Sequence, residues 1–198
     1  MTLSELQSEV LSIISRPELL NTTILAGIKS ATLKLHQMDF FDKDLLETRV
    51  TFPSAEFLQQ LDYSVNLPRW RALKYIRKID STSGEVMEPP LKVLTPDNLL
   101  DDYKVEKTNV AYQAGTVINI KCDTEVQEFV LGYYVHPDVG TLSYASWIAT
   151  EYPYAIVFDA AAMVFKSIGF KEEESSMRIL AGEQQVLLQR NNIQTVGY

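Results

Sequence analysis

The chain has 198 residues, 46% of them hydrophobic and 22% charged, a composition that belongs to a folded globular protein and not to a disordered one. Asp and Glu outnumber Lys and Arg by 26 to 18, and the formal net charge of -8 opposes broad attraction to phosphate backbones or anionic lipid. Cys122 is the single cysteine, so no intrachain disulfide is possible, an oxidising compartment is not implied, and an intracellular place of assembly fits.

The length predicts one domain over 1–198 with four stretches. These are N-terminal helices at 1–44, a β-rich insertion at 45–140, C-terminal helices at 141–190, and an extended tail at 191–198. The opening MTLSELQSEVLSII carries acids where a secretion signal has its positive charge, so no such signal is expected. Thr2 with Glu5, and Ser15 with Glu18, have the spacing of a capping box, and each pair predicts a helix start. In the second of these helices Leu20, Ile24, Ile28, Ala31 and Leu35 recur at three- and four-residue steps, while Lys29 and Lys34 fall off the stripe.

From about Leu45 the pattern changes to short alternating runs rich in aromatic and β-branched residues, with a turn signal in DSTSG at 80–84. The clearest hairpin expected here pairs Thr116–Cys122 with Val126–Val135 around Asp123 and Thr124. Thr95 and Pro96 predict a short helix over 95–103.

Helical pattern returns after His136 and Pro137. Pro153 suits the first turn of a helix that Gly169 ends, and its apolar part runs about 15 residues with Asp159 and Lys166 inside it. A bilayer span takes about 20, so this is expected to be a buried helix. A last helix is expected from the KEEE at 171–174 to about Arg190, its glutamates favoured by the positive end of the helix dipole. An almost all-round apolar helix, with Ala155, Ala160, Ala161 and Ala162 allowing close approach, is expected as the central post of a bundle formed by both ends of the chain. The expected fold class is α+β.

Candidate chemistry is sparse. No glycine-rich phosphate loop, nucleophile elbow, zinc helix or EF-hand loop occurs, and no catalytic, cofactor-binding or metal-binding residue is assigned. His36 and His136, the only histidines, are expected in structural or surface roles. The acids of DKDLLE at 42–47 and LLDDY at 99–103 are read as solvated faces or helix ends. The exception to the acidic balance is RWRALKYIRK, where Arg69, Arg71, Lys74, Arg77 and Lys78 interleave with Trp70 and Tyr75. Basic and aromatic residues together hold single-stranded nucleic acid, but a strand with core aromatics and cations facing water or an acidic neighbour is the preferred reading. A charged interface through Arg69, Trp70, Arg71, Lys74, Arg77 and Lys78 lies between the two. The ending NNIQTVGY has too little apolar content to fold alone and reads either as a disordered end or as a docking arm anchored by Ile193, Val196 and Tyr198.

Three segments, SRPELLNTTILAGIKSATLKLHQMDFFDKDLLE, SYASWIATEYPYAIVFDAAAMVFKSIG and QRNNIQTVGY, together resemble the head-to-tail adaptor (connector) proteins of tailed bacteriophages, most like those of short-tailed phages. The resemblance implies a structural, non-enzymatic virion protein at the head-tail junction, assembled in the host cytoplasm. It implies a ring, usually of twelve copies, beneath the portal protein, a platform for tail proteins, and a lumen through which DNA passes without sequence-specific binding. It also implies that the C-terminal segment, Ile193, Gln194, Thr195, Val196, Gly197 and Tyr198, reaches the portal. No membrane partner and no cofactor are expected. The rival classes are a nucleic-acid-binding accessory protein using 69–78 and a carboxylate-dependent glycan hydrolase, for which the sequence names no acid pair.

Overall fold

The computed structural model describes residues 1–15, 21–95 and 107–195, with the backbone alone described over 191–195. The fold is mixed α and β, and the chain divides into two compact units. Residues 1–44 and 136–198 form a helical unit, and residues 45–135 form a strand-rich one.

In the helical unit, α1 (Leu3–Ile14) starts at a complete capping box, the Thr2 hydroxyl accepting from the Glu5 N–H and the Glu5 carboxylate from the Thr2 N–H. Ser15 does not start the next helix. It adopts a left-handed φ of 53° and donates its N–H to the Leu11 carbonyl, closing α1, whereas an N-cap requires extended backbone. Glu18 and Leu20 lie outside the described residues. Helix α2 (Asn21–Gln37) buries Ile24, Ile28, Ala31 and Leu35, and also Gly27, Thr32 and His36. A short 3-10 turn, Asp42–Asp44, follows.

After the strand-rich unit come the short α4 (Trp147–Glu151), α5 (Pro153–Ile168) and α6 (Lys171–Thr195). Helix α5 is bounded as its residues dictate: Pro153 needs no partner for the N–H it lacks, and Gly169 closes the end at a φ of 82°, where a Cβ is strained. Nine of its sixteen residues are buried, so the apolar stretch is a core helix. It packs against α1, α2, α4 and α6, and one apolar core joins Leu6, Val10, Ile28, Leu35, Ile156, Ala160, Val164 and Leu188. Its small residues permit close approach: a Cβ on Gly27 of α2 would stand 3.3 Å from the Ala160 carbonyl oxygen. No helix among the described residues is long and apolar enough to cross a membrane.

Helix α6 starts with Glu172, Glu173 and Glu174 in its first turn and runs through Thr195, so residues 191–195 are helical and not an extended tail. After Gly182 the sequence holds no glycine or proline before Gly197, and nothing interrupts the hydrogen-bond ladder at Arg190. Val196, Gly197 and Tyr198 lie outside the described residues.

In the strand-rich unit, β1 (Leu45–Asp62) leads through a one-turn helix, α3 (Tyr63–Asn66), to β2 (Trp70–Lys78). β3 (Lys92–Leu94), β4 (Val110–Ala114) and β5 (Val117–Val135) follow. The expected hairpin around Asp123 and Thr124 does not form. β5 is one strand of 19 residues running through both, with β1 antiparallel along its length, from Leu45 opposite Tyr134 to Asp62 opposite Val117. Register shifts between Thr51 and Glu56, and between Glu56 and Leu58, let β1 follow it. The tight hairpin lies just upstream, where β4 turns into β5 through Gly115 and Thr116 with Ala114 opposite Val117. On its other side β5 pairs with β4 in its first part and β2 in its last, and the Leu91 N–H donates to the Ile76 carbonyl at 2.8 Å. These strands enclose a second core that includes Phe52, Ile76, Ile118, Ile120, Phe129, Leu131 and Tyr133. The turn at 80–84 forms as expected, the Gly84 N–H donating to the Asp80 carbonyl. The short helix expected at 95–103, with the acids of LLDDY, lies outside the described residues except for Thr95.

Candidate functional site

The basic and aromatic residues at 69–78 fall on β2 and its entry. Arg69 turns the chain at a φ of 54°, and Trp70 to Lys78 then pair with β5. Tyr63 and Tyr133 both stack on the Trp70 indole, at 4.8 and 5.4 Å between ring centroids. Tyr75 donates its hydroxyl to Glu47 at 2.8 Å, and burial, with this acid beside it, pushes its phenol up from the ordinary value. Among the cations, Arg77 meets Glu88 at 3.2 Å, and Lys74 lies 5.4 Å from the centre of the Tyr134 ring. The largely buried Lys78 donates to Asp123 at 2.9 Å and to Asn109 at 3.0 Å. Trp70 is therefore stacked within its own unit, and Arg77 and Lys78 are matched to acids there.

Of the C-terminal candidates, Ile193, Gln194 and Thr195 continue α6. That helix carries a feature the composition hides. Ala181 and Leu188 are its buried apolar residues, seven apart. Ile179 and Val186, also seven apart, are 63% and 46% exposed. At 100° per residue the second pair lies on the side of the helix opposite the first. Leu187, also exposed, lies about 100° further round the helix, and Glu183 and Arg190 stand on the outer side between it and Ile179.

His36, expected in a structural or surface role, is buried. It is 1% exposed and lies in a polar network inside the helical unit. Its Nδ1 is 2.8 and 3.0 Å from the two Asp44 oxygens, and its Nε2 is 2.9 Å from the Ser146 hydroxyl. The Trp147 indole N–H donates to the same Asp44 oxygen at 2.8 Å. The order hydroxyl, imidazole, carboxylate is that of a hydrolase triad. Here, however, the imidazole is sealed in the core, and Ser146 accepts the Ala149 N–H as the cap of α4. These contacts satisfy polar groups inside a core, as burial demands. His136 is half-buried. Sequence reading passed over this network, although Ile28, Thr32 and His36 stand four residues apart and continue one buried stripe.

Asp44, from the DKDLLE segment, is thus committed to His36 and Trp147, and Asp42 is exposed. Among the described residues no group of three or more His, Cys, Asp or Glu side chains is placed to hold a metal ion. No protein-family model matches the chain, and no curated protein matches it either.

Proposed function

We propose that the protein is a head-to-tail adaptor of a tailed bacteriophage, a structural component without catalytic activity that forms a ring, usually of twelve copies, beneath the portal. In this reading the N- and C-terminal helices are the bundle of each subunit, the strand-rich unit is an insertion, and the assembled ring continues the DNA channel towards the tail proteins. The observation that carries the reading is the pair of exposed aliphatic residues on the outer side of α6, Ile179 and Val186, opposite Ala181 and Leu188. A helix with exposed aliphatic side chains opposite its core-facing residues is suited to packing between two bodies. A ring supplies the second body, because each subunit presents one face to a different face of the next. The resemblance of the three sequence segments supplies the class of assembly, and the acidic balance suits a channel that DNA crosses without sticking.

The arm proposed to dock on the portal is the end of α6, Ile193, Gln194 and Thr195, together with Val196, Gly197 and Tyr198. Co-sedimentation with the portal protein of the same phage tests this. The full chain is expected to travel with the portal, and a chain ending at Arg190 is expected to stay behind. Equal binding by both removes the arm, and no binding by either removes the adaptor reading.

A further inference from the structure

Two features of the helical unit face away from its core. The first is the turn that precedes α4. Asp138 and Ala145 exchange backbone hydrogen bonds at 3.2 and 2.9 Å, and the Asp138 carboxylate accepts the Gly140 N–H at 2.8 Å and the Ser143 hydroxyl at 3.0 Å. Lys29 donates to the Thr141 hydroxyl at 2.9 Å and ties the turn to α2. At the tip Leu142 is 102% exposed, the most exposed large apolar side chain among the described residues. Because the turn is braced on both sides, the leucine is held ready, and a contact made through it costs little conformational freedom.

The second feature is Gly182, in the interior of α6, where glycine weakens a helix relative to alanine. Gly27 of α2 has a reason in its own chain, since a Cβ there would crowd the Ala160 carbonyl oxygen. At Gly182 an added Cβ would meet nothing within 4 Å, so packing within the chain does not require the glycine. Ile179, Gly182, Glu183 and Val186 stand at i, i+3, i+4 and i+7, the four positions that frame a hole on a helix surface. At 100° per residue they share the side opposite Ala181 and Leu188. The glycine leaves this hole open, and two aliphatic side chains border it.

We propose that Leu142 of one copy seats in the Ile179–Gly182–Glu183–Val186 hole of the next copy, with Lys29 meeting Glu183 across the contact. The inference rests on the adaptor reading, in which neighbouring copies meet through different faces, and a knob and a hole on one unit are two such faces. Charge fits as well as shape. Lys29 is held beside the knob through Thr141, the exposed Glu183 borders the hole, and neither has an ion-pair partner among the described residues.

Substitutions in the full chain, read by thermal unfolding and by ring assembly on the portal protein, test this. Gly182→Leu fills the hole. It is expected to raise the melting midpoint of the free chain by roughly 2–4 °C through helix propensity, while assembly weakens by roughly tenfold or more. Leu142→Ala is expected to weaken assembly to a similar degree with the midpoint unchanged. The two together are expected to do no more than the stronger single change, because both remove the same contact. Lys29→Glu should also weaken assembly, and adding Glu183→Lys should restore it. Rings that form equally well with Gly182→Leu and with Leu142→Ala, or effects of the two that simply add, would overturn this contact and leave the adaptor reading standing. A wild-type chain that forms no ring, alone or on the portal, removes both.

Discussion

Asp159 places a carboxylate, 1% exposed, in the most apolar helix of the chain, and Lys34 of α2 reaches in to meet it at 2.7 Å. Its second oxygen has no hydrogen-bond partner, so the lysine carries most of the compensation. Lys34→Met is therefore expected to destabilise the protein by about 1–3 kcal/mol, the cost of leaving a buried acceptor unsatisfied. Adding Asp159→Leu should recover much of the loss, because an apolar pair of similar volume often replaces a buried charge pair without cost. Denaturant unfolding of the single and double variants checks this, and a double variant weaker than Lys34→Met contradicts it. In the strand-rich unit, burial pushes the Cys122 thiol up to about 11 despite the pull of Lys78. At pH 8 it is thus a protonated core residue, and a thiol reagent such as Ellman's is expected to modify it slowly in the folded protein and promptly after unfolding. Rapid modification of the native chain contradicts that placement. Next to it, hydrogen bonds from Lys78 and Asn109 hold the Asp123 carboxyl down to about 2. A depressed carboxylate contributes stability above its unfolded value near 4, and that contribution is lost as pH falls from about 4 towards 2. Lys78→Met is expected to flatten the acid limb of a stability profile in this window, and an unaltered limb would deny the pair any role.

At the scale of elements, helix α5 was legible in both its ends, since Pro153 and Gly169 are chemically suited to start and stop a helix and nothing in the tertiary structure opposes them. β5 was not legible. Asp123 and Thr124 are exposed residues at an irregularity of a long strand, between the pairing of Lys121 with Leu58 and that of Val126 with Glu56, and in sequence an exposed polar pair within a strand reads the same as a turn. Only the partner strands distinguish the two, and β1, which supplies much of the pairing, lies over fifty residues away in the chain. The His36 network was hidden for the same reason: Asp44 is local to it, but Ser146 lies 110 residues after His36, and Trp147 lies 103 residues after Asp44. Helix α6 was legible in its acidic start and not in its end, because Asn191 and Asn192 lower helix propensity only mildly. Its outer stripe makes the element-scale prediction. Ile179→Glu with Val186→Glu is expected to leave helix content by circular dichroism unchanged, since both side chains are exposed in the single chain, and to abolish self-association in sedimentation. Association that survives the pair of charges would mean that this stripe is not the contact.

Over the whole molecule, two cores are built from different parts of the chain: one by residues 1–44 and 136–198, which brings the two ends together, and one by the strands between. Among what the described residues offer outward are a long acid-started helix with exposed Ile179 and Val186 opposite its buried residues and a strand whose cations and aromatics are largely engaged within its own unit, in a chain of net charge -8. These features suit a part that works by packing against other parts. Electron microscopy of the purified protein, alone and mixed with the portal protein that the proposed function makes its partner, tests that account most directly. A closed ring stacked coaxially on the portal is the predicted result. A chain that remains monomeric and ignores the portal would contradict it and turn attention to nucleic-acid binding through Arg69 to Lys78.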